Sequence, residues 1–423
     1  MKIRGTRQAF IALTVLAVSA CGQTVSGAPG AAEIDVRKLD VGKYPTAPLD
    51  DYYSPAYSVR RGNSLAATRL SDHVVIGNDI DPKLRYGTSI QEVNEPDDVT
   101  QSMAAPSKAV AERNKMQFGF VSGSSDFRPV AFEQVPPTAT LVTVTVLQFP
   151  SMDAAATAAR EFEAVDFDVN PAENQRVPIG KFPAAHAHWR PGTPTIGSTI
   201  AHGHYTVSAF VSTSSPDLAL LTSLVEKTYA AQLPKLDALP PLSPEQVLRS
   251  ELDPEGMKRR VLNPIKLGVP SVGGLATNTL QGFLHFQTDR EEAKRFYSVG
   301  NIEYVTMGQA YSANTYSYNS EGIAQSFGTG ASLLLDGAMV FRSRDEESAK
   351  ALWGALAAEP DPAMAPPGVP DSKCAEEPKP YSTTKYFLCI VRYRNYVGHV
   401  WSTQIQDSQQ RAAAQYAVLA NSQ

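Results

Sequence analysis

The chain has 423 residues, 43% of them hydrophobic and 19% charged, with 28 Gly and 31 Pro. That mixture suits a globular protein of two or three domains and excludes a collagen, a coiled coil or a wholly disordered chain. With 38 basic against 43 acidic side chains the formal charge is −5, which argues against a nucleic-acid binder, since that function needs a basic footprint.

Lys2, Arg4 and Arg7 precede the apolar run from Ala9 to Ala20. Such a run is too short to cross ~30 Å of hydrocarbon as a permanent helix, so residues 1–20 read as a secretory signal peptide. The run ends in Val18-Ser19-Ala20-Cys21, a tetrapeptide that resembles the bacterial lipobox. The resemblance implies that Cys21 is acylated and becomes the new N-terminus. Two or more acyl chains, at ~0.8 kcal/mol per buried methylene, would then anchor the protein to the extracytoplasmic side of the cell membrane. The alternative is an ordinary signal peptide whose cleavage site happens to precede a Cys. Residues 21–32, rich in Gly, Ala, Ser and Pro after Cys21, read as a flexible tether.

Cys374 and Cys389 remain, and in an exported protein they are expected to form a disulfide. A redox or metal pair is the alternative, but neither a C-x-x-C spacing nor a nearby His favours it.

The same order of elements occurs twice at an offset of 192 residues. Leu141 to Phe149 alternates β-branched and apolar residues as a strand does, and leads into an Ala-rich helix from 154 to 165 with Ser151 as N-cap. In the second half Ser332 to Phe341 leads to a helix over 346–358, so that Phe149, Ser151 and Asp153 correspond to Phe341, Ser343 and Asp345. Phe182 to Trp189 and Thr199 to Val211 then read as two strands around Arg190-Pro-Gly-Thr-Pro, followed by a helix with Ser215 as cap and Pro216 at its first position. Their counterparts are Lys385 to Arg392, Tyr396 to Thr403 and a helix from Asp407. Upstream strands are expected over 117–122, 129–134, 303–306 and 315–318. The fold expected is α+β: an N-terminal domain over 33–233, a Pro-rich linker over 234–244 and a C-terminal domain over 245–423. Each domain is an antiparallel sheet with helices packed on one face.

Further motifs are Leu39-Asp-Val-Gly-Lys-Tyr-Pro-Thr46, Arg69-Leu-Ser-Asp-His-Val-Val75 and Asp81-Pro-Lys-Leu84. With the lipobox and the cysteine-bearing C-terminal half, they make the chain resemble uncharacterised lipoproteins from actinobacteria with mycolic-acid envelopes. That resemblance implies a cell-envelope location and supplies no catalytic residue.

The sequence holds no G-x-S-x-G elbow, P-loop, H-E-x-x-H or S-x-x-K, and Gly328-Thr-Gly330 reads as a loop. His186, His188, His202 and His204 form one polar constellation. A hairpin centred on Thr195 would set 186 opposite 204 and 188 opposite 202, gathering four imidazoles on one face that could hold Zn²⁺ or Cu²⁺. The favoured reading is a polar sheet face without metal. Tyr311 to Tyr318 and Tyr386 to Tyr396 read as aromatics paired across a sheet rather than a ligand groove, and Lys258-Arg259-Arg260 as a solvated charge run. The function expected is a lipid-anchored, non-enzymatic binding or interaction module. It needs no cofactor, and its ligand would be an envelope lipid, glycan or protein. The alternatives are an exported hydrolase of envelope lipid or glycan, and metal capture through the histidines.

Overall fold

The computed structural model describes residues 34–49, 58–129, 135–262, 275–308, 317–318, 324–325, 337–356, 360–377 and 385–422. The signal peptide, Cys21, the tether and all but Pro129 of the strand expected over 129–134 lie outside them, as do residues 311–316 and 328–330.

In chain order the first half comprises α1 (Val59–Ser71), α2 (Gly77–Ile80), β1 (Tyr86–Val93), α3 (Ser107–Arg113), β2 (Phe118–Ser125), β3 (Leu141–Gln148) and α4 (Met152–Phe167). It continues with β4 (Gln175–Arg176), β5 (His186–Trp189), β6 (Thr195–His202), β7 (Tyr205–Ser212), α5 (Leu218–Asp237) and α6 (Pro244–Leu248). The second half begins with β8 (Leu275–Asn278), α7 (Leu280–Leu284), α8 (Arg290–Ser298), β9 (Ile302–Gly308), the short pair β10 (Ser317–Tyr318) and β11 (Ala324–Gln325), and β12 (Gly337–Ser343). It ends with α9 (Glu346–Ala355), β13 (Ser372–Glu377), β14 (Tyr386–Tyr393), β15 (Tyr396–Ser402) and α10 (Ile405–Asn421).

Two antiparallel sheets carry the fold, ordered β1-β2-β3-β7-β6-β5-β4 and β13-β14-β15-β12-β9-β8. Read from β8, the second sheet repeats the first strand for strand up to β5. The duplication expected from the sequence is therefore present in the topology, but with one correspondence corrected: Lys385 to Arg392, expected to match Phe182 to Trp189, forms β14 and matches β6, while the counterpart of β5 is β13. Phe149 bonds through its N–H to His204 O, and Phe341 lies opposite Val397. Each is fully buried, Phe149 against Phe162 of α4 and Phe341 against Phe283 and Tyr297.

The α+β class holds, but the helices, expected on one face, lie on both. Val142, Val144 and Val146 of β3 point into the core under α1 and α5, whereas Leu147 packs with Phe149, Ala155, Ala158 and Phe162 under α4. The sequence misleads because β3 alternates Val with Thr, yet Thr145 is buried too. A threonine with its methyl packed under a helix reads in sequence as a solvent position.

The helix starts also shift. Ser151 caps α4 through Ala154 N at 3.1 Å as expected, but the cap of α9 is Asp345, not Ser343. A register shift between Arg342 and Ser343 moves the chain there, and Ser343 ends up buried at the strand end. Asp217, not Ser215, caps α5, and α10 begins at Ile405, ahead of Asp407. The expected linker is partly helical: Pro234 lies inside α5, which runs to Asp237, and Leu242 N–H then donates to the buried Gln148 side chain at 3.0 Å.

Cys374 and Cys389 are directly opposed in β13 and β14 and form the expected disulfide. It ties β13, at the edge of its sheet, to β14, closing a loop of 15 residues. Chain-entropy arguments assign such a loop about 3 kcal/mol. Reduction, or Cys374→Ala with Cys389→Ala, should therefore lower unfolding stability by about that amount, measured by urea denaturation with and without reductant. Identical midpoints would show that the bond adds nothing.

Candidate functional site

Helix α1 lies between the sheets. Its Ala66, Ala67 and Leu70 enter the core of the first half, while its polar face meets β8 and α7 of the second. Along that face runs a polar seam, half-buried at Ser64, Glu92, Asp72 and Thr279 and buried at Ser71, Asn278, His285 and Arg290. Glu92 of β1 accepts from Ser64 Oγ at 2.7 Å and Thr68 Oγ1 at 2.8 Å. The Asn278 side-chain amide donates to Thr68 O at 3.2 Å and Ser71 Oγ at 2.9 Å. Asp72 Oδ1 accepts from Thr279 N at 3.0 Å and Thr279 Oγ1 at 2.9 Å, at the start of α7. This carboxylate of the first half thus fills the role of an N-cap for a helix of the second.

Close approach here depends on Gly282, where an added Cβ would come within 2.2 Å of Asp72 Oδ1 and 2.6 Å of Asn278 Nδ2. One turn on, His285 Nδ1 lies 2.8 Å from Ser122 Oγ of β2, and its Nε2 lies 3.1 Å from Ser71 O and 3.2 Å from Val74 O. Two carbonyls facing Nε2 place the ring hydrogen there, so Nδ1 accepts from the Ser122 hydroxyl. Arg290, wholly buried, closes the seam with Nη1 donating to Ser124 Oγ at 2.7 Å and Nη2 to His285 O at 3.1 Å. The exposed edge of β1 is covered at the same point, where Gly87 N–H donates to Thr288 O and Arg290 N–H to Arg85 O.

The seam also concentrates shifted titrations. Burial pushes the Asp72 carboxyl up to about 6, against the hydrogen bonds of Thr279 that favour its charge. Burial raises Glu92 as well, and burial together with the Arg290 charge holds His285 well below its ordinary value. Desolvation penalises the charged form in each case. A serine beside an imidazole acceptor has the form of a nucleophile with its base. Ser122 and His285 are only 1% and 2% exposed, however, and the pair ties β2 to the end of α7.

The four histidines do not form the expected cluster. β5 pairs with β6 so that His186 lies opposite Thr199 and His188 opposite Gly197. The run expected as one strand from Thr199 to Val211 is broken by a turn at Gly203, whose φ of +57° suits glycine. His202 therefore sits beside Tyr205, its Nε2 2.6 Å from Asp237 of α5, and His204 lies in the turn. His188 faces α4 instead, its Nδ1 3.4 Å from Glu163 and its Nε2 3.9 Å from Asp166. Alternation thus sends His188 and His202 to opposite faces. Among the described residues no group of three or more His, Cys, Asp or Glu is placed to hold a metal ion. Burial would raise Glu163, but His188 and Arg176 together bring it below the usual carboxylate range.

Residues 53–252 match the N-terminal domain of unknown function DUF7373, and residues 259–422 its C-terminal domain. The chain belongs to the DUF7373 family. No curated protein matches it. The seam joins the two DUF7373 halves, and the segment between the matched regions ends at Lys258. That lysine was expected in a solvated charge run, but it is 4% exposed. Arg260, its neighbour, is also engaged, donating to Ser422 O at 2.6 Å.

Sequence reasoning missed the seam. Asp72 lies in the stretch Arg69 to Val75, whose pattern marks no chemical role, and the one available signal for His285 is a lone imidazole between Leu284 and Phe286. A carboxyl whose folded value is raised binds a proton in the native state that the unfolded chain has lost, so its contribution to stability falls as pH rises from about 4 to about 6. Asp72→Asn keeps the acceptor oxygen and should abolish this slope, leaving the variant on the order of 1–3 kcal/mol more stable relative to wild type at pH 7 than at pH 4. Parallel urea curves for the two proteins across that range, with a constant difference, would contradict the assignment.

Proposed function

We propose that the chain is an exported lipoprotein of an actinobacterial cell envelope, anchored through acylated Cys21 and acting as a non-enzymatic binding or interaction module for an envelope lipid, glycan or protein. The observation that carries the anchoring is Val18-Ser-Ala-Cys21 at the immediate end of a short apolar run behind three basic residues. The Cys374–Cys389 bond supports an oxidising compartment outside the cytosol. Among the described residues no helix is long and apolar enough to cross a membrane. The burial of the Ser122–His285 pair supports a binder over a serine hydrolase, because a nucleophile needs a path to its substrate.

Expression of wild type and Cys21→Ala in an actinobacterial host tests the reading. Wild type should carry an acyl mass on Cys21 and sediment with membranes, while the variant should lack the mass and leave the membrane fraction. A fluorophosphonate, which labels activated serines, should leave Ser122 unmodified in the wild-type protein. Membrane retention of an unacylated variant would overturn the anchor, and labelling of Ser122 would replace the binder with a hydrolase.

A further inference from the structure

Residues 38–49 form a strap that follows α10 from its start to its end. Gln410 Nε2 donates to Asp40 Oδ1 at 3.1 Å and Tyr44 donates to Asp407 Oδ1 at 2.5 Å, whereas Asn421 Nδ2 reaches Thr46 O at 2.8 Å at the far end. The strap therefore begins beside the first turns of α10. The loop over residues 362–370 lies at the same place. Gln409 Nε2, next to Gln410, donates to Met364 O at 2.9 Å, and a Cβ added at Gly368 would lie 3.6 Å from Leu39 Cδ2. The loop is pinned at both ends, with Asp361 N–H donating to Cys374 O at 2.9 Å and Ser372 Oγ to Val369 O at 2.7 Å. Its sequence, Pro-Ala-Met-Ala-Pro-Pro-Gly-Val-Pro, contains no polar side chain. Pro362, Ala363, Pro367 and Gly368 are exposed, and Met364 and Ala365 are half-buried. A fixed apolar stretch held in solvent and bounded by Asp361 and Asp371 has the character of an interaction surface.

We propose that the loop over residues 362–370 is the surface by which the protein rests on the lipid bilayer. The inference rests on acylation of Cys21 and adds to it the face of the fold that meets the membrane. What selects this face is where the anchored chain ends: it joins the fold at Leu39 and Asp40, in contact range of Gly368 and on the same turn of α10 as Met364. The chain from Cys21 to Lys38 reaches at most ~60 Å when fully extended, so the anchor holds the bilayer at a high effective concentration around its point of attachment, and a contact too weak to bind alone suffices there. The occupant is a lipid surface because the loop offers small apolar groups and the polarisable Met364 side chain, with no donor or acceptor on any side chain to recognise a polar ligand. Exposed charges around it balance, Lys38 and Lys43 against Asp40 and Asp361. The contact should therefore not require anionic lipid.

Acylated full-length protein from an actinobacterial host, reconstituted on phosphatidylcholine vesicles, tests this. Ala363→Cys places a thiol on the loop, and Ala230→Cys places one on the exposed side of α5 in the first half as a control. With Cys21 acylated and Cys374 bonded to Cys389, each variant has one thiol to label with an environment-sensitive nitrobenzoxadiazole fluorophore. The label at 363 should shift to the blue on vesicles and be quenched several-fold more strongly than the label at 230 when the lipid is brominated on its acyl chains. Adding phosphatidylglycerol should leave the difference unchanged. Met364→Asp with Pro367→Asp should abolish the quenching at 363 while the protein still sediments with the vesicles; the comparison of the two label sites decides the matter alone if these aspartates disturb folding. Equal quenching at both sites, none at 363, or quenching at 363 only when anionic lipid is present would overturn the proposal and leave the anchor standing. A protein without an acyl mass on Cys21 would overturn both.

Discussion

The carboxylate of Asp72, at the end of the first helix, receives the N–H and hydroxyl of Thr279 at the start of a helix more than two hundred residues later. Everything else in the seam depends on that approach. It requires Gly282, because any Cβ there would collide with the carboxylate, and it sets α7 so that His285 reaches Ser122 and Arg290 reaches Ser124. Two sheets that could each have been a separate domain are thereby joined through buried polar contacts, within one compact unit from Lys38 to Gln423. Such contacts add modest net stability but are costly to break singly, since each leaves a desolvated group unpaired. They therefore fix the arrangement of the halves more than they strengthen it.

A second set of contacts reinforces the union from the N-terminal side. Tyr44 donates to Asp407 at 2.5 Å and accepts from Arg411 Nε at 2.9 Å, so a segment that precedes the first sheet is packed on the last helix of the second. Burial and the Asp407 hydrogen bond push the Tyr44 hydroxyl up to about 12, and it stays a neutral donor across the physiological range. Asn421 of the same helix reaches back to Thr46 O at 2.8 Å.

The fold was legible where local patterning and the repeat agreed. Leu141 to Phe149 and its counterpart ending at Phe341 announce paired strands, and Ser151 followed by an Ala-rich run announces a helix. What escaped was any feature set by contacts distant in sequence. The faces on which helices lie depend on which partner covers Thr145, and the histidine register depends on whether the chain turns at Arg190-Pro or also at Gly203. The seam was invisible for the same reason, since Ser122 and His285 resemble ordinary polar residues in sequence and meet only through the fold. The cysteine pair was readable because composition left it no other partner once Cys21 was assigned to the lipid.

Unfolding as one unit is the property that the seam should confer, and the three tryptophans report on it by position. Trp189 lies in the first sheet, whereas Trp353 and Trp401 belong to the second half. Urea unfolding followed by fluorescence should give coincident midpoints and slopes for a variant retaining only Trp189 and one retaining only Trp353 and Trp401, once each is corrected for its own stability by far-UV circular dichroism. Separate transitions for the two probes, with one half melting while the other stays folded, would contradict a seam that couples them.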